Sequence, residues 1–168
     1  MSEAVPTIYA PPVRPVRLSL YERLIALAIA GGCAGVIATA VHLRPSPDGT
    51  GTHQGLSFLP CTMLATTGIP CPSCGMTTSF AWFYRGNLAA SFWVQPGGFV
   101  LAWLTGMMVI YALYEGLSAR PIHRLLRYLP VRIWITVGAA VLAFGWGWKI
   151  IIHLAGMDGW KSSMGGSG

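Results

Sequence analysis

Residues 20–43 read LYERLIALAIAGGCAGVIATAVHL, and this nearly unbroken apolar run decides the fold class. An α-helix needs about 20 such residues to cross the hydrocarbon core of a bilayer. Residues 93–117 and 131–154 meet the same requirement. The sequence therefore predicts an all-α integral membrane protein with three transmembrane helices, which form a single membrane domain over residues 20–156.

The composition of the 168-residue chain agrees with this class. Apolar residues make up 54% of the chain and charged residues only 10%, whereas a typical soluble domain carries about 25% charge. Residues 1–19 are different, because they contain four prolines and little apolar periodicity. We predict a flexible cytoplasmic tail at residues 1–19 and a disordered tail at residues 157–168.

The arginines predict the orientation of the helices. They cluster before the first apolar run and between the second and the third, at Arg14, Arg17, Arg23, Arg120, Arg124, Arg127 and Arg132. The positive-inside rule places these segments in the cytoplasm, so the loop between the first two spans and the C-terminus face the outer side. The net charge of +6 then reflects the cytoplasmic flanks of membrane helices, and no nucleic-acid partner is expected.

The outer loop contains the stretch CPSCGMTT at residues 71–78, with Cys61 shortly upstream. Proline suits the first position of a helix, where its missing N–H breaks no hydrogen bond, and Gly86 suits a helix stop. The pattern predicts a short helix over residues 72–85 with Cys71 at its N-cap. Such a helix cannot span a bilayer, so we expect it to be interfacial or re-entrant.

Three interpretations of these thiols are open at the level of sequence. A structural disulfide among Cys61, Cys71 and Cys74 would suit an oxidising outer compartment. Thiol–disulfide exchange would use Cys71 and Cys74 with Cys61 as the resolving thiol, and Cys71 would be the nucleophile because a helix N-terminus favours a thiolate. A metal site would use the three thiolates with His53 or His42 as a fourth ligand. No cofactor is predicted, and zinc or haem is the alternative.

Other residues suggest packing and interfacial roles. Gly31 and Gly35 form a small-xxx-small pattern, which predicts close packing against another helix or another subunit. Lys149 lies at the outer end of the third span, where its ammonium group is expected to snorkel to the headgroups. His42 and His153 also lie at outer ends, where we expect them to be solvated or hydrogen-bonded, with a shared metal or haem as the alternative.

The cysteine region resembles a known family. Cys61, residues 67–77 (TGIPCPSCGMT), residues 85–90 (RGNLAA) and Gln95-Pro96 resemble the core of a bacterial membrane family called domain of unknown function (family 2752), over residues 61–113. One departure is Thr78, which stands where the family pattern has a basic residue. The resemblance implies a small polytopic protein of the bacterial inner membrane, and it implies no activity.

We therefore expect a membrane protein of unknown biochemical activity that is not an enzyme. It would be a structural or accessory component of a membrane assembly, with a cysteine-stabilised external loop. Its partners would be the lipid bilayer and other membrane subunits or further copies of the chain. The alternatives are a membrane thiol–disulfide oxidoreductase that uses Cys71 and Cys74, and a metal- or haem-binding membrane protein.

Overall fold

The computed structural model describes residues 18–52, 61–118 and 130–160, and this part of the chain contains helices and no strand. The helices are α1 Leu20–His42, α2 Thr62–Thr67, α3 Met76–Tyr84, α4 Leu88–Val94, α5 Pro96–Ser118 and α6 Val131–Leu154. The long helices α1, α5 and α6 are each long and apolar enough to cross a membrane. The predicted fold class is confirmed. The predicted tails lie mostly outside the described residues.

Helix α1 has polar contacts at both of its ends. At its start, Ser19 Oγ accepts a hydrogen bond from the Glu22 backbone N–H, and the Glu22 carboxylate accepts one from the Ser19 N–H at 2.8 Å. This reciprocal capping box satisfies backbone donors that a helix N-terminus leaves free. At its end, Arg85 donates to the carbonyl oxygens of Val41 and Leu43 at 3.2 and 3.0 Å. Arg85 therefore satisfies the terminal carbonyl groups of α1, although it is distant from them in the sequence.

Helix α5 packs against both α1 and α6. The Arg23 Nε–H near the start of α1 donates to the carbonyl oxygen of Gly116 near the end of α5, at 3.0 Å. At the other end of α5, a Cβ added to Gly145 of α6 would lie 3.0 Å from the backbone nitrogen of Gly97. Both long helices therefore run antiparallel to α5. The ends of α1 and α6 meet the start of α5 at one end of the bundle, called here the thiol end.

The short helices α3 and α4 pack against α5 at the thiol end. Ser79 of α3 is fully buried, and its hydroxyl lies 2.9 Å from the hydroxyl of Ser91 in α4. Gly98 leaves room for this hydroxyl pair, because a Cβ there would lie 2.8 Å from the Ser79 Cβ. Asn87 caps α4 by accepting from the Ala90 N–H at 3.0 Å. The chain then restarts as α5 at Pro96, so the second span begins there and not at residue 93.

The helix predicted for residues 72–85 starts later than expected. Residues 72–75 form a turn, in which the Cys74 N–H donates to the Cys71 carbonyl oxygen at 2.9 Å, and α3 begins at Met76. Gly75 at the N-cap has a φ of +84°, and a Cβ there would lie 2.9 Å from the Gly49 carbonyl oxygen. Cys71 therefore does not cap a helix. The close approach of the loop at Gly49 and the left-handed conformation of Gly75 together account for the delayed start.

The small-xxx-small pattern of α1 lies on a free surface of the described chain. Gly31 and Gly35 are exposed, and a Cβ added to either would meet nothing within 4 Å. A groove of about 540 Å³ between α1 and α3 runs beside this face, with Gly35 and Phe80 among its lining residues. The pattern does not pack against α5 or α6, and its use by another subunit stays a prediction.

The contact between α5 and α6 predicts an effect of a single methyl group. We expect Gly145→Ala to destabilise the fold by about 1–3 kcal/mol, because the new Cβ is pressed against the backbone of Gly97 and overpacking costs this much. The measurement is the midpoint of thermal unfolding in detergent. Gly138→Ala is the matched control on the same helix, because no atom lies within 4 Å of its added Cβ. Equal midpoints for the two variants would contradict the predicted close contact.

Candidate thiol site

Three of the four cysteines come together at the thiol end. The Sγ atoms of Cys61, Cys71 and Cys74 all lie within 4.8 Å of one another. Cys74 is buried, and Cys61 and Cys71 are partly exposed. All four cysteines, including Cys33 in α1, are free thiols. The expected disulfide is therefore absent from this structure, and the loop is held together by other contacts.

Two short segments bring the thiols together. Cys61 directly precedes α2, and Cys71 and Cys74 lie in the turn before α3. Between them, Gly68 ends α2 in a left-handed conformation with φ +70°. This glycine reverses the direction of the chain, as glycines at helix C-termini commonly do. Residues 68–75, called here the thiol loop, then run back past Cys61.

The backbone of the thiol loop is held by side-chain donors. Three carbonyl oxygens at alternating positions each accept one hydrogen bond, and all three donors come from outside the loop. The pairs are His153 Nε2 with Gly68 at 3.1 Å, Trp146 Nε1 with Pro70 at 3.0 Å, and Gln95 Nε2 with Pro72 at 3.0 Å. Two of these donors belong to α6. The third lies between α4 and α5 and is almost fully buried.

A buried ion pair supports the same region. Lys149 of α6 has no exposed side-chain surface, and its Nζ lies 2.9 Å from Asp158 Oδ1. The ammonium group also donates to the Gly49 carbonyl oxygen at 3.4 Å. The second oxygen of Asp158 hydrogen-bonds His153 Nδ1. The expectation that Lys149 snorkels to the headgroups is therefore wrong, because a carboxylate from the segment after α6 pairs with it inside the protein.

The three thiols differ in their electrostatic environments. The Leu64 backbone N–H favours the thiolate of Cys61 and lowers its pKa to about 7, against an opposing effect of burial. Burial is the main cause that raises the pKa of Cys74 to about 12, and its hydrogen bond with Cys61 acts in the same direction. Near neutral pH, the thiolate form is therefore favoured much more at Cys61 than at Cys74. Since Cys71 caps no helix, the physical reason for expecting it to be the nucleophile is lost.

The remaining predicted ligands are not brought to the thiols in the described part of the chain. His53 lies outside the described residues. His42 ends α1, and His153 is occupied by Asp158 and the thiol loop. The three anchoring side chains were not predicted as part of the site. The sequence contained one signal for the two anchors in α6. Trp146 and His153 are spaced i and i+7, with Lys149 at i+3, which places all three on one face of a helix.

Fold and site together define a helical protein with three candidate membrane spans and a cluster of three thiols at one end of its bundle. The model of a protein family described as "Protein of unknown function (DUF2752)" matches residues 61–109. This match confirms the resemblance noted from the sequence. It covers all three clustered thiols and Gln95, whereas α6 with its two anchoring donors lies beyond it. No curated protein and no solved structure matches the chain.

The unequal pKa values predict unequal alkylation of the metal-free protein. We expect the alkylation rate of Cys61 to rise with a midpoint near pH 7, because only the thiolate reacts. Cys74 should stay unreactive throughout the neutral range, since its pKa is about 12 and it is buried. Peptide mass spectrometry after pulses of iodoacetamide at graded pH measures both rates. In denatured protein the two cysteines should react alike, and the same parity in folded protein would contradict the assignment.

Proposed function

We propose that this protein binds a soft metal ion through Cys61, Cys71 and Cys74 at one end of a helical membrane bundle. The observation that carries this proposal is the convergence of three unbonded Sγ atoms within 4.8 Å. A zinc–sulfur bond is about 2.3 Å long, so the sulfurs around a tetrahedral ion are about 3.8 Å apart. The thiols would need to close by no more than about an ångström. Thiolates select zinc or Cu(I) over harder cations.

Metal binding fits this geometry better than thiol–disulfide exchange does. A disulfide requires an S–S distance of about 2.05 Å, so two of the thiols would have to move while the loop stays hydrogen-bonded at three positions. A thiol with a high pKa is also a poor leaving group in exchange, and Cys74 is the most deeply buried of the three. A membrane oxidoreductase that uses Cys71 and Cys74 is therefore the second candidate.

The proposal also includes two roles that were predicted from the sequence. The free face of Gly31 and Gly35 supports a role as an accessory component of a larger membrane assembly, since small residues allow close helix contact. His53 is proposed as the fourth ligand, because three thiolates leave a position open on a tetrahedral ion and this residue precedes Cys61 closely in sequence.

The proposal predicts a one-to-one complex with a spectroscopic probe metal. Titration of the purified, reduced protein with Co(II) or Cd(II) should produce sulfur-to-metal charge-transfer absorbance that saturates at one equivalent. Serine substitution of Cys61, Cys71 or Cys74 should weaken affinity by more than about 100-fold, because loss of an outer-shell partner alone costs roughly 10–100-fold. Cys33→Ser is the matched control and should bind like the parent, since this thiol lies in α1 outside the cluster.

The same titration distinguishes the second candidate. If no charge-transfer band appears and the isolated protein instead carries a Cys71–Cys74 disulfide that mild reductant opens, the oxidoreductase assignment replaces the metal site. Inductively coupled plasma analysis of protein purified without chelators adds a direct measurement of resident metal. Metal retained equally by the parent and by Cys74→Ser would also contradict the proposed ligand set.

The predicted orientation can be tested with the same thiols. We expect a membrane-impermeant maleimide to label Cys61 and Cys71 only from the outer side of sealed vesicles of known sidedness, because the arginine-rich segments should face the cytoplasm. The Cys33→Ser background removes labelling within α1. Labelling only from the cytoplasmic side would reverse the topology, although the geometry of the thiol site would be unaffected.

A further inference from the structure

We infer that His153, carrying a proton on each ring nitrogen, is a positioning residue that holds the thiol loop against α6, so that loss of one of these protons weakens the metal site. The inference rests on the proposed function, because it describes how metal affinity is regulated. It is carried by the hydrogen bonds of one imidazole ring and by the position of their partners in the fold.

The partners of the ring determine its protonation. Nε2 lies 3.1 Å from the carbonyl oxygen of Gly68, and a carbonyl oxygen can only accept, so Nε2 must carry a proton. Nδ1 faces Asp158 Oδ2. That carboxylate is paired with the buried ammonium group of Lys149 at 2.9 Å, and an ionised carboxylate also only accepts. The observed contacts therefore require the imidazolium form, which donates from both nitrogens.

Loss of one proton affects the two contacts unequally. A hydrogen bond to a charged acceptor is roughly twice as strong as a bond to a neutral acceptor. The remaining proton therefore stays on Nδ1, facing Asp158. Nε2 then presents a lone pair to the Gly68 carbonyl oxygen, and this contact becomes repulsive. Deprotonation of His153 thus releases the thiol loop and leaves the ring attached to its own segment.

Gly68 connects the two segments that carry the thiols. It lies between α2, which follows Cys61, and the turn that contains Cys71 and Cys74. The other two loop carbonyls are held by Trp146 and Gln95, which do not titrate. Freeing Gly68 alone therefore lets Cys61 move relative to the other two thiols, and the three-sulfur cluster opens.

The surroundings of the ring allow it to exchange protons with solvent. The His153 side chain is 27% exposed and that of Asp158 is 21% exposed. The ring contacts Asp158, which pairs with Lys149, and Asp48 lies in the neighbouring loop that packs on Gly159. With His153 protonated, the His153–Asp158–Lys149 set carries one net positive charge. That charge lies at the same end of the bundle as the thiols.

The experiment compares Cd(II) affinity of the parent and His153→Phe at about pH 5.5 and about pH 9.5, which lie on either side of the usual titration range of imidazole. We expect a loss of roughly 10–100-fold at the lower pH, the usual effect of removing an outer-shell partner, and a ratio near one at the higher pH. Competition from thiol protonation is the same in both proteins and cancels in the ratio. A ratio that does not change with pH would overturn the inference.

Two further variants separate positioning from packing. Trp146→Phe removes an indole donor that does not titrate, so its loss of affinity should be equal at both pH values. His153→Gln offers an amide N–H that does not titrate. Its affinity relative to the parent should therefore rise with pH, and this variant replaces His153→Phe if the latter does not fold. A constant ratio for the glutamine variant would equally contradict the inference.

A measurement without metal distinguishes failure of the inference from failure of the proposed function. Hydrogen–deuterium exchange of residues 68–76 in metal-free protein at about pH 5.5 reports whether the loop is docked. Faster exchange in His153→Phe than in the parent supports the positioning role, even if the parent binds no metal. Equal exchange in the two proteins overturns the role, whatever the metal titration shows.

Discussion

The buried ion pair between Lys149 and Asp158 is the interaction on which the thiol end depends. An ammonium group with no exposed surface requires a counter-charge, and removal of one partner of a buried pair typically costs about 3–5 kcal/mol. This requirement fixes the chain after α6 against the loop at Gly49. Once Asp158 is fixed, its second oxygen orients His153, and His153 in turn holds the thiol loop.

The contacts between the long helices and the contacts of the thiol loop have different physical origins. The long helices approach one another where side chains are missing, as Gly145 does against Gly97, because lipid supplies no hydrophobic drive for helix association. The thiol loop is an irregular backbone segment, and its polar groups need partners wherever water is excluded. Donors at three alternating carbonyls meet this need. These hydrogen bonds therefore help the loop to keep a defined shape.

Much of this fold could be predicted from the sequence, because length and hydropathy determine where a helix can span a bilayer. The third span was predicted at residues 131–154 and is observed as Val131–Leu154. The second span was predicted from residue 93, but the chain restarts at Pro96, because proline lacks the N–H that would continue the hydrogen bonds of the preceding helix. The start of α3 could not be predicted, since the same C-P-x-C letters suit a helix N-terminus and a turn before one. The choice depends on the approach of Gly49 to Gly75, a contact between segments distant in sequence.

The site was less predictable than the fold for the same reason. Lys149 alone suggests an interfacial lysine, and only the return of Asp158 makes it a buried charge. The side chains that anchor the thiol loop are even harder to predict from the sequence, because they contact backbone carbonyl oxygens, which every residue has. No side chain of the loop therefore indicates that Trp146 and His153 will bind there, and the family match ends before both of them.

Anchoring through the backbone has a chemical consequence for the thiols. A disulfide would also restrain this loop, but it would consume two of the three sulfur atoms and leave no site that could bind metal through three thiolates. Hydrogen bonds to Gly68, Pro70 and Pro72 restrain the loop and leave Cys61, Cys71 and Cys74 free. Stability and thiol chemistry thus rest on different atoms of the same segment. That separation lets a short, glycine- and proline-containing loop hold the thiols of Cys71 and Cys74 beside that of Cys61.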